Sequence, residues 1–138
     1  MGGQEVKVTL DTNVLVRAVV QDDARQAVAA ARLLREAERV VVPISCLCEF
    51  VWVLRRTYRM PPALVAGALR NLLASVNVIT DRAAAEAGLW FHDKGGDFAD
   101  GVIEFEGRHL GAAIFASFDK NAVRLLDRAG LAAMVPPH

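Results

Sequence analysis

The sequence predicts a three-layer α/β fold with a mostly parallel central sheet flanked by helices, on two observations. Short strand-like runs alternate with segments of helical periodicity along the whole chain. Two of those runs, Val40-Val41-Val42 and Ala112 to Phe118, lack apolar–polar alternation, as strands covered on both faces do. At 138 residues with no internal repeat, low-complexity tract or linker, the chain is expected to be one domain, 1–138.

The elements follow in order. Val6 to Leu10 alternates as a first strand, and Asp11 or Thr12 can cap a helix containing Val14, Leu15, Ala18 and Val19. Asp22-Asp23 opens a second helix with negative charge at its positive end, and Ala24, Ala27, Val28, Ala31 and Leu34 recur on its inner face. Val40–Val42 is the second strand, stopped by Pro43. Ser45 can cap the helix that follows, whose apolar stripe is Leu47, Phe50, Val51, Leu54 and Tyr58. Pro61-Pro62 breaks it and starts another through Leu64, Ala68, Leu69, Leu72 and Leu73. Val76 to Ile79 reads as a third strand, Asp81 begins the next helix, and Gly95-Gly96 ends it. Asp97 caps the helix carrying Asp100, despite Gly101 and Gly107. The run to Phe118 has the character of a central strand. Asp119 opens the last helix, and Ala132 to Val135 can add an edge strand.

Composition narrows the function. Just over half the residues are hydrophobic (54%) and formal net charge is zero, which gives no global attraction to nucleic acid; such a ligand needs a local basic patch. Cys46 and Cys48 diverge on their helix and suit unpaired thiols in a reducing compartment. No apolar run has the length of a membrane span, and the start of the chain lacks a signal-peptide pattern, so a cytoplasmic protein is the default expectation.

The chemistry-bearing residues are acids at junctions between elements. Asp11 and Asp119 each follow a strand and precede a helix, and parallel strands place such ends along one edge. Asp100 lies in the first turn of its helix, with Asp97 and Glu104 on its face and Phe98, Val102 and Phe105 opposite. Glu49 stands among Cys48, Phe50, Val51 and Trp52, where a carboxylate needs a partner or a cleft. Singly, Asp11, Asp97 and Asp119 can be plain N-caps, and Glu104 a solvated charge. Asp97 can also support the site from beside it. Jointly, Asp11, Glu49, Asp100 and Asp119 predict a cluster that is costly without a hard cation. Other chemistries lack their patterns: there is no phosphate-binding glycine loop and no serine elbow. His92, His109 and His138 have no zinc spacing and read as surface or capping residues, Trp52 and Trp90 as core or interface aromatics.

Four motifs, LDTNVLVR, CEFVWVLRR, GGDFADGVI and ASFDK, resemble in order those of the PIN-domain nucleases, in particular the VapC-type toxins of prokaryotic toxin–antitoxin pairs. The similarity runs from the first strand through the last helix. It implies a single PIN-like domain and an acidic quartet of Asp11, Glu49, Asp100 and Asp119 that binds Mg²⁺, with Mn²⁺ an alternative. Asp11 and Asp100 are the direct or water-mediated ligands on that reading; Asp119 and Glu49 complete the site and activate water. Asn13 and Ser117 match orienting positions, Ser117 standing where many relatives carry Thr. Gly101 departs from the usual Ala-rich continuation, with the expectation that it loosens the segment bearing Asp100. The implied activity is cleavage of structured RNA, for which Arg17, Arg56, Lys94 and Lys120 are candidate rim cations; Arg56 falls on nearly the same helix face as Glu49. Surplus apolar surface on the Leu47–Leu73 hairpin suggests a groove for the antitoxin's C-terminal segment, and the resemblance implies a homodimer. A phosphoacceptor or phosphatase-like domain, and a non-catalytic RNA- or protein-binding module, are the competing classes.

Overall fold

The computed structural model describes residues 6–138. They form a mixed α/β fold of seven α-helices and five short strands, all paired in parallel. The chain divides into two compact units, the first ending at Arg82 and the second spanning Ala83–His138.

In the first unit β1 (Lys7–Thr9), β2 (Arg39–Val41) and β3 (Val78–Ile79) lie in that order, with Val8, Val40 and Val78 in register. Helices α1 (Thr12–Val19) and α2 (Ala24–Glu36) connect the first two strands; α3 (Ile44–Trp52) and α4 (Pro62–Ala74) connect the second pair. Leu15, Val40, Val42, Leu47, Phe50, Leu54, Val65 and Leu69 are buried at the core. Loose carbonyls at helix ends are met by side chains, as buried or half-buried polar groups require. Asn77 Nδ2 donates to Leu34 O at 2.8 Å and Ala37 O at 2.9 Å, closing α2. Arg82 donates to Leu73 O, closing α4, and to Val78 O in β3.

Four expectations for this unit change. The buried face of α2 is Ala27 and Ala30; Val28 points outward at 68% exposure, because only small side chains fit where α2 lies against α1. Ser45 is exposed inside the first turn of α3, and Pro43 is the cap residue, without a side-chain hydrogen bond. Its missing N–H is no loss at a helix start. Beyond Trp52 the helix widens into a π turn, Val53–Thr57, ending at Arg59 in left-handed backbone (φ 52°). More residues per turn rotate Arg56 away from the face of Glu49, so the expected α-helical alignment of the two fails. Trp52 is exposed rather than packed.

In the second unit α5 (Arg82–Asp93) is followed by α6 (Phe98–His109), β4 (Phe115–Ala116), α7 (Lys120–Arg128) and β5 (Ala133–Met134). Phe91, Phe98, Val102, Ala122, Leu125 and Leu126 are buried. Gly95 (φ 88°) takes the left-handed turn that stops α5, its N–H bonded to His92 O at 3.0 Å. Far from loosening α6, Gly101 is buried where that helix meets α5: a Cβ there would stand 2.7 Å from Ala87 O and 2.7 Å from Phe91 Cβ. Strand β4 is much shorter than the apolar run suggests. The residues before it are used to close α6: Gly111 is left-handed (φ 103°) and Ala112 N bonds Gly107 O at 3.0 Å. Ile114 and Phe118 are left 55% and 66% exposed. His92 is buried at 6% exposure, not a surface residue, and Trp90 is exposed.

Candidate active site

In the first unit the candidate acids are Asp11 and Glu49. Asp11 is the residue after Leu10 at the end of the β1 segment, and its extended backbone (φ −80°, ψ 158°) caps α1. Its Oδ1 accepts Thr12 N–H at 2.8 Å. Glu49 lies in the middle of α3, where the sequence reading asks for a partner; that partner is Thr12, whose hydroxyl donates to Glu49 Oε1. Thr12 Oγ1 also stands 3.6 Å from Cys46 Sγ, one helical turn before Glu49. Burial pushes the Cys46 thiol up, with the Asp11 and Glu49 charges adding to it and Thr12 opposing. Asn13 is exposed, one position around α1 from the buried Thr12.

In the second unit the charges of Asp97 and Asp119 act on Asp100. Asp97 caps α6, its Oδ1 accepting Ala99 N–H at 3.0 Å. Asp119 caps α7, its Oδ1 accepting Asn121 N–H at 3.0 Å and Ala122 N–H at 3.2 Å. Ser117 Oγ accepts the Asp119 backbone N–H at 3.0 Å, which fixes the turn out of β4. Asn121 Nδ2 reaches Gly95 O at 3.4 Å, tying the start of α7 to the glycine loop. Asp100, in the first turn of α6, is half-buried and pushed up from 3.8 to about 6, by burial first, then by the charges of Asp97 and Asp119. The acidic face of α6 goes no further: Glu104 receives Arg108 Nε at 3.0 Å and Nη2 at 3.3 Å.

The proposed rim cations differ in availability. Arg17 is already engaged, with Gln26 at 2.6 Å, Asp22 at 3.2 Å and Tyr58 at 3.3 Å. Lys94 lies over the Trp90 ring at 5.9 Å from its centroid. Arg56 and Lys120 are exposed.

Among the described residues no group of three or more His, Cys, Asp and Glu is placed to hold a metal ion. The donor set nevertheless fits a hard divalent cation in kind: it is oxygen throughout, and a carboxyl that keeps its proton to about 6 beside two other carboxylates is one a cation relieves. Sequence reasoning named the acids and missed Thr12 and Asn121. For Thr12 a signal existed: Thr12, Leu15 and Val16 share helical spacing and are all buried, which places Thr12 inward and Asn13 outward.

The PIN domain family model matches residues 8–128. No curated protein matches the chain. PIN domains are generally metal-dependent nucleases, and acids at strand ends and helix starts accord with that chemistry. With most of its length matched, the chain belongs to the PIN domain family.

Proposed function

We propose that this protein is a Mg²⁺-dependent endoribonuclease, with Mn²⁺ able to substitute, and the toxin of a toxin–antitoxin pair of the VapC type. The observation that carries the metal-dependent reading is the crowding of Asp100 by Asp97 and Asp119 within a nuclease family. Asp11, Glu49, Asp100 and Asp119 would hold the ion, Asp11 and Asp100 foremost. Such an ion would supply a water of lowered pKa and offset charge on the phosphodiester. Glu49 and Asp119 would orient and deprotonate the attacking water as general bases. Asp97 and Ser117 keep Asp100 and Asp119 in place through the helix caps they make or support. Asn13 would help orient the acidic quartet, and Arg56, Lys94 and Lys120 would meet RNA phosphates at the rim.

Support for a protein partner comes from the first unit. A largely apolar groove of about 980 Å³ runs between α1, α2 and α4, with Leu15, Leu34, Phe50, Leu64 and Leu72 among its walls. It suits the amphipathic C-terminal segment of an antitoxin. We take the chain as one PIN-like domain, since a single family model spans both units, acting as a homodimer in the cytoplasm. Among the described residues no helix is long and apolar enough to cross a membrane.

The test is cleavage of a structured RNA in Mg²⁺, with and without chelator, by the wild type and Asp11→Asn. Chelator and substitution are each expected to abolish cleavage. Cleavage that survives either one refutes the metal mechanism. Protection by the product of a small neighbouring reading frame tests the toxin assignment, and light scattering tests the dimer.

A further inference from the structure

We infer that Thr12 is a positioning residue that fixes both acids of the first unit, Asp11 through its backbone N–H and Glu49 through its hydroxyl. The inference rests on the nuclease reading for its consequence and on the hydrogen bonds for its geometry.

Thr12 opens α1 and is 7% exposed. Its β-branched side chain has few rotamers, and burial leaves it fewer. Two groups lie within reach of Oγ1, Glu49 Oε1 and Cys46 Sγ, and a hydroxyl has one proton. The carboxylate is the stronger acceptor and takes it. Cys46 and Glu49 are three apart on α3, so both face Thr12 from the same side of that helix. The Cys46 sulfur is left as a second, weaker acceptor for the same hydroxyl at 3.6 Å.

The same residue meets Asp11. Thr12 N–H is taken by Asp11 Oδ1 at 2.8 Å, so one buried residue contacts one oxygen of each acid. Among the described residues the second oxygens, Asp11 Oδ2 and Glu49 Oε2, have no hydrogen bond and remain open to a ligand. Glu49 is otherwise an exposed, flexible side chain whose ordering costs entropy at the moment of binding. Thr12 meets that cost in advance. Partners that orient a metal-binding carboxylate typically change affinity by about 10–100-fold when removed.

The experiment compares wild type, Thr12→Val and Thr12→Ser. Valine keeps the shape and removes the hydroxyl; serine keeps the hydroxyl and removes the methyl. Three readings are taken: side-chain NMR relaxation of Glu49, Mn²⁺ affinity by calorimetry without RNA, and kcat and KM for RNA cleavage. Thr12→Val is expected to free the Glu49 side chain, weaken Mn²⁺ by about tenfold or more, and lower kcat with little change in KM. Thr12→Ser is expected to restore all three. Glu49 equally rigid in Thr12→Val overturns the inference, as does loss of rigidity in both variants, which would mark a packing role. If the wild type binds no Mn²⁺ and cuts no RNA while Thr12→Val still frees Glu49, the nuclease reading fails and the positioning inference stands.

Discussion

Replacing Asp97 with Asn separates the causes that raise Asp100. Asparagine still offers an oxygen to Ala99 N–H, so the α6 cap survives. Only the charge is lost, the second cause after burial, with Asp119 third. The Asp100 carboxyl should therefore fall from about 6 yet stay above 3.8, because burial is untouched. The stability consequence has a definite sign. Between 3.8 and about 6 the folded chain keeps a proton that the unfolded chain has released. The favourable contribution is complete below 3.8 and is lost as pH rises through about 6. At about 1.4 kcal/mol per pKa unit the full displacement would be worth about 3 kcal/mol for a dry group. Asp100 is open to water on one side, and screening reduces this to about 1 kcal/mol. Urea melts on both sides of that range measure it, with Asp100→Asn subtracting the background of other carboxylates. Carboxyl-carbon NMR follows the titration itself, and Mg²⁺ should draw the Asp100 midpoint down. A wild-type Asp100 titrating at 3.8, or a midpoint unmoved by Asp97→Asn, would refute the crowding on which the metal reading depends.

Other outcomes follow from single contacts. Gly101→Ala should destabilise the second unit by about 1–3 kcal/mol through overpacking against α5, whereas Gly107→Ala, with nothing within 4 Å of the added methyl, should stabilise it by about 0.5–1 kcal/mol; thermal melts of the two variants show opposite shifts. Asp119→Asn should keep the α7 cap and the melting temperature but lower RNA cleavage by about 10²-fold or more; full activity would reduce Asp119 to a cap. Tyr58→Phe removes the contacts to Asp22 at 3.1 Å and Arg17 at 3.3 Å, and denaturant unfolding should report a loss of about 0.5–1 kcal/mol.

How much of this was legible in the chain depends on the range of the interaction that decides each feature. Helix starts at Asp11, Asp23, Asp97 and Asp119 were readable because a cap is a contact between neighbours in sequence, and in each case the acid accepts an N–H within three residues. The α/β alternation was readable for the same reason, since each period is local. Strand extent was not, because a ladder needs a partner: Ala112 to Ile114 are as apolar as Phe115 and Ala116, yet the partner strand pairs only the latter two. The π turn at Val53–Thr57 has no composition signal, so the helical wheel that aligned Glu49 with Arg56 drifted at a point no wheel can mark. His92 and Val28 exchanged their expected places because packing partners, not polarity, decide burial where α2 meets α1 and where α5 meets its neighbours.

The acids show the same division at the level of chemistry. Identity and position along the chain pick out Asp11, Glu49, Asp100 and Asp119 as groups that need explaining, but what explains each is a contact made in space. For Asp100 it is two other carboxylates; for Glu49 it is a threonine hydroxyl. These are opposite electrostatic situations, one carboxyl crowded by like charge and one stabilised by a donor. A carboxyl held by a donor is fixed in place, whereas a crowded carboxyl must first surrender a proton before it can serve as a ligand. If Asp100 serves a cation, binding near pH 6 should release the proton it holds. Calorimetry of Mg²⁺ binding in buffers of different ionisation enthalpy would count it, and Asp100→Asn should remove that proton from the balance.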